Sequence, residues 1–295
     1  PKHFGLAFFH MDDSYEKKTA FGVKNLVSAK SFAAGVYMIE MKNIVSGHKD
    51  FLQIENLSFG DGQITALAGQ NGSGKSTLLK TILGLIKSKG EITLDGEQLS
   101  SLSHKERAKK IAYFPQVLRT TTMDVRTLVS HGRFSHIGFS SHLSKIDEEL
   151  IENAIEIADL QNLCEKNLSE LSGGERQRAY LAMIIAQNSK MILLDEPMTY
   201  MDVNHQIKMQ EILLKLKKEG RGIVLASHDL PQVFSFCDKI CLMKEGRILC
   251  NEEPSTLSEK KDFMRSILGF SIEKNVCLNG DKKQGKFLYD YNLCK

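Results

Sequence analysis

Gly69-Gln70-Asn71-Gly72-Ser73-Gly74-Lys75-Ser76-Thr77 is the stretch that decides the fold of this chain. It fits the pattern G-x-x-x-x-G-K-S/T. Just before it, Ile64-Thr65-Ala66-Leu67-Ala68 is a short apolar run closed by glycine, as a buried strand is before a turn. Just after it, Ser76 to Ile86 carries apolar residues at helical spacing, with Gly90 beyond its end. A strand, a glycine-rich turn and a helix in that order make a phosphate cradle. The glycines let the main chain wrap an anion and turn its N–H groups inward. The helix adds the positive end of its dipole. In such a cradle Lys75 sets a point charge against the β- and γ-phosphates, and the Ser76 hydroxyl ligates Mg2+. Gly69, Asn71, Gly72, Ser73, Gly74, Lys75, Ser76 and Thr77 are therefore the candidate nucleotide-binding set.

Outward from this point strand and helix signals alternate. Glu91-Ile92-Thr93-Leu94 with Asp95-Gly96 reads as a strand and a tight turn, and Ile111 to Phe114 as a strand stopped by Pro115. Asp147 to Leu163 is predicted as an amphipathic helix, with Leu150, Ile151, Ala154, Ile155 and Ala158 on one stripe. Met191 to Leu194 and Gly222 to Ala226 are unbroken apolar runs, as expected of strands covered on both faces of a parallel sheet. The class is α/β. Residues 1–37 begin with Pro1, show no sustained period, and are expected to form an extension outside the catalytic fold. From about residue 270 the tail is polar and lysine-rich, with an end expected to be loosely held.

Two further elements carry chemistry. In Met191-Ile192-Leu193-Leu194-Asp195-Glu196-Pro197, Asp195 ends a buried strand, where an unpaired carboxylate is costly. A Mg2+ partner removes that cost, and Glu196 beside it suits a base that polarises the attacking water. In Leu171-Ser172-Gly173-Gly174-Glu175, Ser172 can cap the next helix while two glycines leave its N-terminus open, which makes a second anion site.

Bulk properties set bounds. The chain has 295 residues, 42% hydrophobic and 25% charged, with net charge +3. That is ordinary globular composition, without the concentrated basic face of a nucleic-acid binder. Lys215, Lys217 and Lys218 alternate with leucine as a solvated helix face does. The six cysteines form no C-x-x-C pair and read as reduced thiols. No stretch reaches the roughly 18 apolar residues of a membrane span. Phe21 to Met41 comes nearest and is broken by Lys24, Lys30 and Glu40. His131, His136 and His142 lack the helical i, i+4 spacing of a metal pair.

Taken together, the three motifs make residues 38–265 resemble the ATP-binding-cassette (ABC) ATPase family. The resemblance implies a P-loop, RecA-like core with an antiparallel β subdomain and an α-helical subdomain at about 117–180, before a polar tail at 266–295. It implies ATP and Mg2+ as ligands and a head-to-tail dimer of two copies around two ATP molecules. In that arrangement Ser172, Gly173 and Gly174 of one chain meet the γ-phosphate held by the other. It further implies that Gln116 contacts Mg2+ and the water, and that His228 sits near the γ-phosphate. Asp202 falls on a loop crossing the dimer interface. Glu196, His228 and Gln116 are thus the candidate catalytic residues, and Ser76, Gln116 and Asp195 the candidate Mg2+ set. The implied partners are transmembrane permease subunits and, through them, an extracytoplasmic substrate-binding protein, with no nucleic acid. The implied location is peripheral, on the cytoplasmic face of the cell membrane.

The family's adenine-stacking aromatic falls near Ser46, where Val45-Ser46-Gly47-His48 holds no tyrosine and His48 is the nearest ring. Gly132-Arg133-Phe134-Ser135-His136, Ser144-Lys145-Ile146-Asp147, Glu175 in its motif and Asp202-Val203-Asn204-His205-Gln206 resemble the importers of iron–siderophore, haem and vitamin B12 cargo. Zinc and manganese importers share much of this pattern. By the same resemblance, residues 117–145 meet the permease. A DNA-acting member of the family would need a long coiled coil between the cradle and Leu171, and no sustained heptads occur there.

Overall fold

The computed structural model describes residues 38–137, 142–199 and 201–267, and the backbone of 268, 270–277 and 286–293. The extension at 1–37 lies outside the described residues, as does Tyr200.

Two sheets share a layer of helix. Strands β1 (Met38–Ser46), β2 (Leu52–Gly60), β4 (Ser88–Leu94) and β5 (Glu97–Gln98) form an antiparallel sheet in the order β2-β1-β4-β5. The second sheet runs β10-β9-β3-β8-β7-β6. Its members are β3 (Ile64–Ala68), β6 (Ile111–Phe114), β7 (Met191–Asp195), β8 (Gly222–Ser227), β9 (Lys239–Lys244) and β10 (Arg247–Glu252). All neighbours in it are parallel except β9 and β10. Helix α1 (Lys75–Ile82) follows β3, and α2 (His104–Lys110) precedes β6. Helices α3 (Val125–His131), α4 (Lys145–Ile157) and α5 (Gly173–Gln187) pack on one another between β6 and β7. Helix α6 (Val203–Lys218) joins β7 to β8, and α7 (Leu230–Phe236) joins β8 to β9. Helices α8 (Pro254–Glu259) and α9 (Lys261–Leu268) follow β10.

The unbroken apolar runs have a simple cause. In β7, Ile192 and Leu194 enter one core with the helices, while Met191 and Leu193 enter a second core shared with α1 and the antiparallel sheet. In β8, Ile223 and Leu225 face the first core, Val224 and Ala226 the second. Alternate residues of a central strand point to opposite faces, and here both faces are covered.

Three expectations differ in detail. The helix after the cradle ends at Ile82 rather than Ile86, because Leu83 caps it and Gly84 turns the chain at φ +70°. The helix expected over 147–163 runs from Lys145 to Ile157. Ser144 and Asp147 form a capping box at its start; Asp159 at φ +53° breaks it, and Gln161–Leu163 continues as a 3-10 turn. Finally, the tail read as polar and lysine-rich contains two strands, β11 (Phe270–Cys277) and β12 (Lys286–Leu293), paired antiparallel. The lysines hide a period-two pattern there, Phe270, Ile272 and Val276 against Phe287, Tyr291 and Leu293.

Candidate nucleotide site

The cradle is tight at its first glycine, which faces main chain. A Cβ on Gly69 would overlap the carbonyl oxygen of Met243, and Gly74 at φ +108° is the side-chain-free cap of α1. Ser73 N–H donates to the Gln70 carbonyl (3.1 Å), and Gly246 N–H to the Ser73 carbonyl (2.9 Å), bracing the loop from the β9–β10 turn. Asn71 and Gly72 are exposed at the tip, Gly69, Ser73, Gly74 and Lys75 are buried, and Ser76 and Thr77 are half-buried. Lys75 Nζ folds onto the loop, donating to the carbonyls of Gly69 (2.8 Å) and Gln70 (3.2 Å). Burial lowers its pKa, and the nearby Glu196 and Asp195 oppose that shift.

Asp195 closes β7 at 1% exposure. Its Oδ1 accepts from the Ser76 hydroxyl (2.8 Å) and its Oδ2 from the Tyr113 hydroxyl (3.2 Å). Burial raises its pKa, only partly offset by these two bonds. Glu196 follows in the left-handed region at φ +53°, a conformation a non-glycine residue holds only when its surroundings enforce it. Its N–H is tied to the Ala226 carbonyl (3.1 Å). Its Oε2 lies 3.3 Å from His228 Nδ1 and accepts from Thr199 Oγ1 (3.2 Å). His228 follows β8 directly, so the neighbouring strands β7 and β8 bring the two together. A cleft of about 250 Å3 opens over this pair, lined also by Gln206 and Gln232.

Ser172 accepts from the Glu175 N–H, and Glu175 from the Ser172 N–H, a full capping box at the start of α5. Gly173 is open: a Cβ there would meet nothing within 4 Å. A Cβ on Gly174 would overlap the ring of His205. His205 Nδ1 lies 2.9 Å from the carboxylate of Asp202, which in turn caps α6. Gln177 Nε2 donates to the Thr199 carbonyl (3.0 Å), fastening α5 to the loop after β7. Gln116 is exposed beyond the end of β6 and is not among the groups bonded to Ser76 or Asp195.

The residues suit a magnesium nucleotide. Ser73 Oγ is buried in the cradle and has no hydrogen-bond partner among the described residues, an orphaned polar group of the kind a phosphate oxygen would satisfy. The Ser76 hydroxyl and Asp195 carboxylate form a hard-oxygen donor pair of the kind Mg2+ takes.

Two groups, Tyr113 and Phe51, lie outside every motif, and the bond from Thr199 to Glu196 and the contact of His205 with Gly174 appear only in the fold. Ser46 turns inward to Thr81 Oγ1 (2.9 Å) and the Lys87 carbonyl (3.0 Å), and His48 is exposed in a short turn. Phe51 is the aromatic beside the cradle. Its side chain is 41% exposed, with its Cε1 3.3 Å from where a Gly74 Cβ would sit. An aromatic three residues after His48 is the sequence signal that could have found it.

A strand, glycine cradle and helix with a carboxylate pair at the end of a parallel strand in the same sheet define a P-loop nucleotide-binding protein. The family profile for ABC transporters matches residues 52–199. The chain is 33% identical over 250 residues to the petrobactin import ATP-binding protein FpuC of Bacillus anthracis, covering 83% of this chain and 91% of that one. It is 37% identical over 253 residues to the iron(3+)-hydroxamate import ATP-binding protein FhuC of Bacillus subtilis, covering 82% and 94%. Among solved structures it superposes on cbiO1 of Clostridium perfringens, part of the complex cbiONQ, with a TM-score of 0.68. That match has 26% identity and covers 79% of this chain and 95% of that one. This chain therefore belongs to the ABC transporter family, among its ATP-binding proteins.

Proposed function

We propose that this chain is the ATP-hydrolysing subunit of an importer for iron–siderophore, haem or cobalamin-type cargo, working as a dimer beneath a separate permease. The observation that carries the reading is the joined geometry of Lys75, Ser76, Asp195, Glu196 and His228, in a chain whose relatives are named as siderophore import ATP-binding proteins. In the dimer, Ser172, Gly173 and Gly174 of one copy complete the site of the other. The openness of two of them supports this: Ser172 and Gly173 are exposed, and among the described residues nothing lies against Gly173.

The chemistry is positioning and charge. Lys75 and the cradle N–H groups hold the triphosphate, while Ser76 and Asp195 hold the cation. Mg2+ bound there neutralises charge on the β- and γ-phosphates. Glu196 accepts the proton of the attacking water, oriented by the hydrogen bond it accepts from Thr199 and with His228 Nδ1 3.3 Å away. Asp202 and Gln116 serve the closed dimer, where the interface and the permease signal meet. ATP bridges the two halves and so binds the closed state better; only such a difference can drive closure. Exposed apolar side chains at Val117 and Phe134 support a permease surface within residues 117–145. Among the described residues no helix is long and apolar enough to cross a membrane, which leaves the spanning to the permease.

The test is reconstitution with its permease in liposomes. ATP hydrolysis should rise when a siderophore-loaded binding protein is supplied. A permease-bound chain that never splits ATP would refute the enzyme reading, and stimulation only by a zinc-loaded protein would refute the cargo.

A further inference from the structure

Tyr113 belongs to none of the motifs, yet its hydroxyl donates to Asp195 Oδ2 at 3.2 Å while Ser76 donates to Oδ1 at 2.8 Å. The two donors come from different elements, β6 and the first turn of α1. Parallel pairing sets Tyr113 opposite Leu193, two residues before Asp195, and the ring packs against the core that α1 shares with the antiparallel sheet. A carboxylate turns easily about its last torsion, which is broad and two-fold. One donor on each oxygen fixes its plane. Each oxygen still keeps a lone pair free to accept from another group.

We propose that Tyr113 is a positioning residue for the divalent cation: it locks the Asp195 carboxylate so that Oδ1 stays aimed at the Ser76 hydroxyl, where the cation of the nucleotide is held. The inference rests on the nucleotide-site reading above. Tyrosine suits the task because its hydroxyl stays protonated beside a carboxylate. Ser76 cannot do this alone, since its bond reaches only one of the two oxygens.

The test is direct cation uptake. The full chain is saturated with ADP and titrated with Mn2+, and the free-ion signal is followed by electron paramagnetic resonance. Tyr113→Phe, which keeps the ring and loses only the donor, should raise the half-saturating Mn2+ concentration about 10-fold, as loss of a partner behind a metal ligand does. ADP affinity in the presence of a chelator should not change. Ser76→Ala should shift the Mn2+ midpoint in the same direction and further. If Tyr113→Phe cannot be purified folded, Tyr113→Met serves as a donor-free replacement of similar bulk. A variant with the wild-type Mn2+ midpoint overturns the proposal. So does a variant that loses ADP affinity equally with and without cation, which would mark a merely structural role. A wild-type chain that takes up neither ADP nor Mn2+ overturns the nucleotide-site reading itself, and this inference with it.

Discussion

Replacing Glu196 by Gln isolates the base from everything else in the site. The amide has the same shape and backbone demands, so φ +53° at this position and the tie to the Ala226 carbonyl are kept. Its oxygen can still accept from Thr199. What vanishes is the negative charge of the carboxylate whose Oε2 lies 3.3 Å from His228 Nδ1, and with it this side chain's ability to take a proton from water. A positioned general base contributes about 10²–10⁴-fold, which corresponds to about 3–5 kcal/mol of barrier. Nucleotide binding should survive, because removing a negative charge beside the triphosphate takes away repulsion. Phosphate release at saturating Mg-ATP should therefore fall at least about 100-fold, while gel filtration with ATP shows a dimer that persists. Turnover within about threefold of wild type, in a variant that still binds nucleotide, refutes the assignment, since no base worth 10²-fold could then have been removed.

Three other outcomes follow from the same geometry. Asp147, bonded to the buried Arg133 (2.8 Å) and the Ser144 cap, has its carboxyl pKa held down to about 2. Because the folded value is depressed, its stabilisation is present above the ordinary carboxylate range and is lost as pH falls from about 4 toward 2. Asp147→Asn should cost about 1–3 kcal/mol at neutral pH and flatten the acid limb of the melting-temperature profile; an unchanged profile refutes the pair's role. Gly174→Ala should abolish ATP-driven dimerisation by driving a Cβ into the ring of His205, and His205→Ala in the same chain should restore part of it, read by gel filtration. Phe51→Ala should weaken nucleotide binding by about 2–10-fold if stacking is worth about 0.5–1.5 kcal/mol, while Phe51→Tyr keeps it; equal affinities for all three rule Phe51 out.

Much of this was legible in the sequence for a local reason. A glycine cradle needs its own consecutive residues, and a covered parallel strand needs an unbroken apolar run. Both therefore leave contiguous marks, at 64–77, 191–197 and 222–228. Helix ends were less legible, because Gly84 and Asp159 stop helices through backbone conformation rather than through a break in apolar period. The groups that were missed act across the fold. Tyr113 reaches Asp195 over 82 positions, and it looks like any strand aromatic until β6 is laid beside β7. The aromatic near the cradle was sought at Ser46 and His48, but the turn at Gly47 buries the first and exposes the second while Phe51 comes alongside Gly74.

Topology also says why the last motif stands apart. Strands β3, β6, β7 and β8 are parallel, so their carboxyl ends share one edge of the sheet. That edge is where a parallel α/β sheet holds its ligand. The cradle, Gln116, the Asp195–Glu196 pair and His228 each follow one of these four strands, which is sufficient to gather them. Ser172, Gly173 and Gly174 follow no strand. They open α5, whose far end is anchored where Gln187 Nε2 meets the Ile111 carbonyl at the start of β6. The 15 residues of α5 span roughly 22 Å, against roughly 13 Å for the 4 residues of β6. The N-terminus of α5, capped by Ser172, thus lies at the far end of a helix longer than the strand that anchors it. Ser172 and Gly173 are exposed there, as the proposed surface for another molecule's phosphate would be. A symmetric pair lets each copy meet both needs at once.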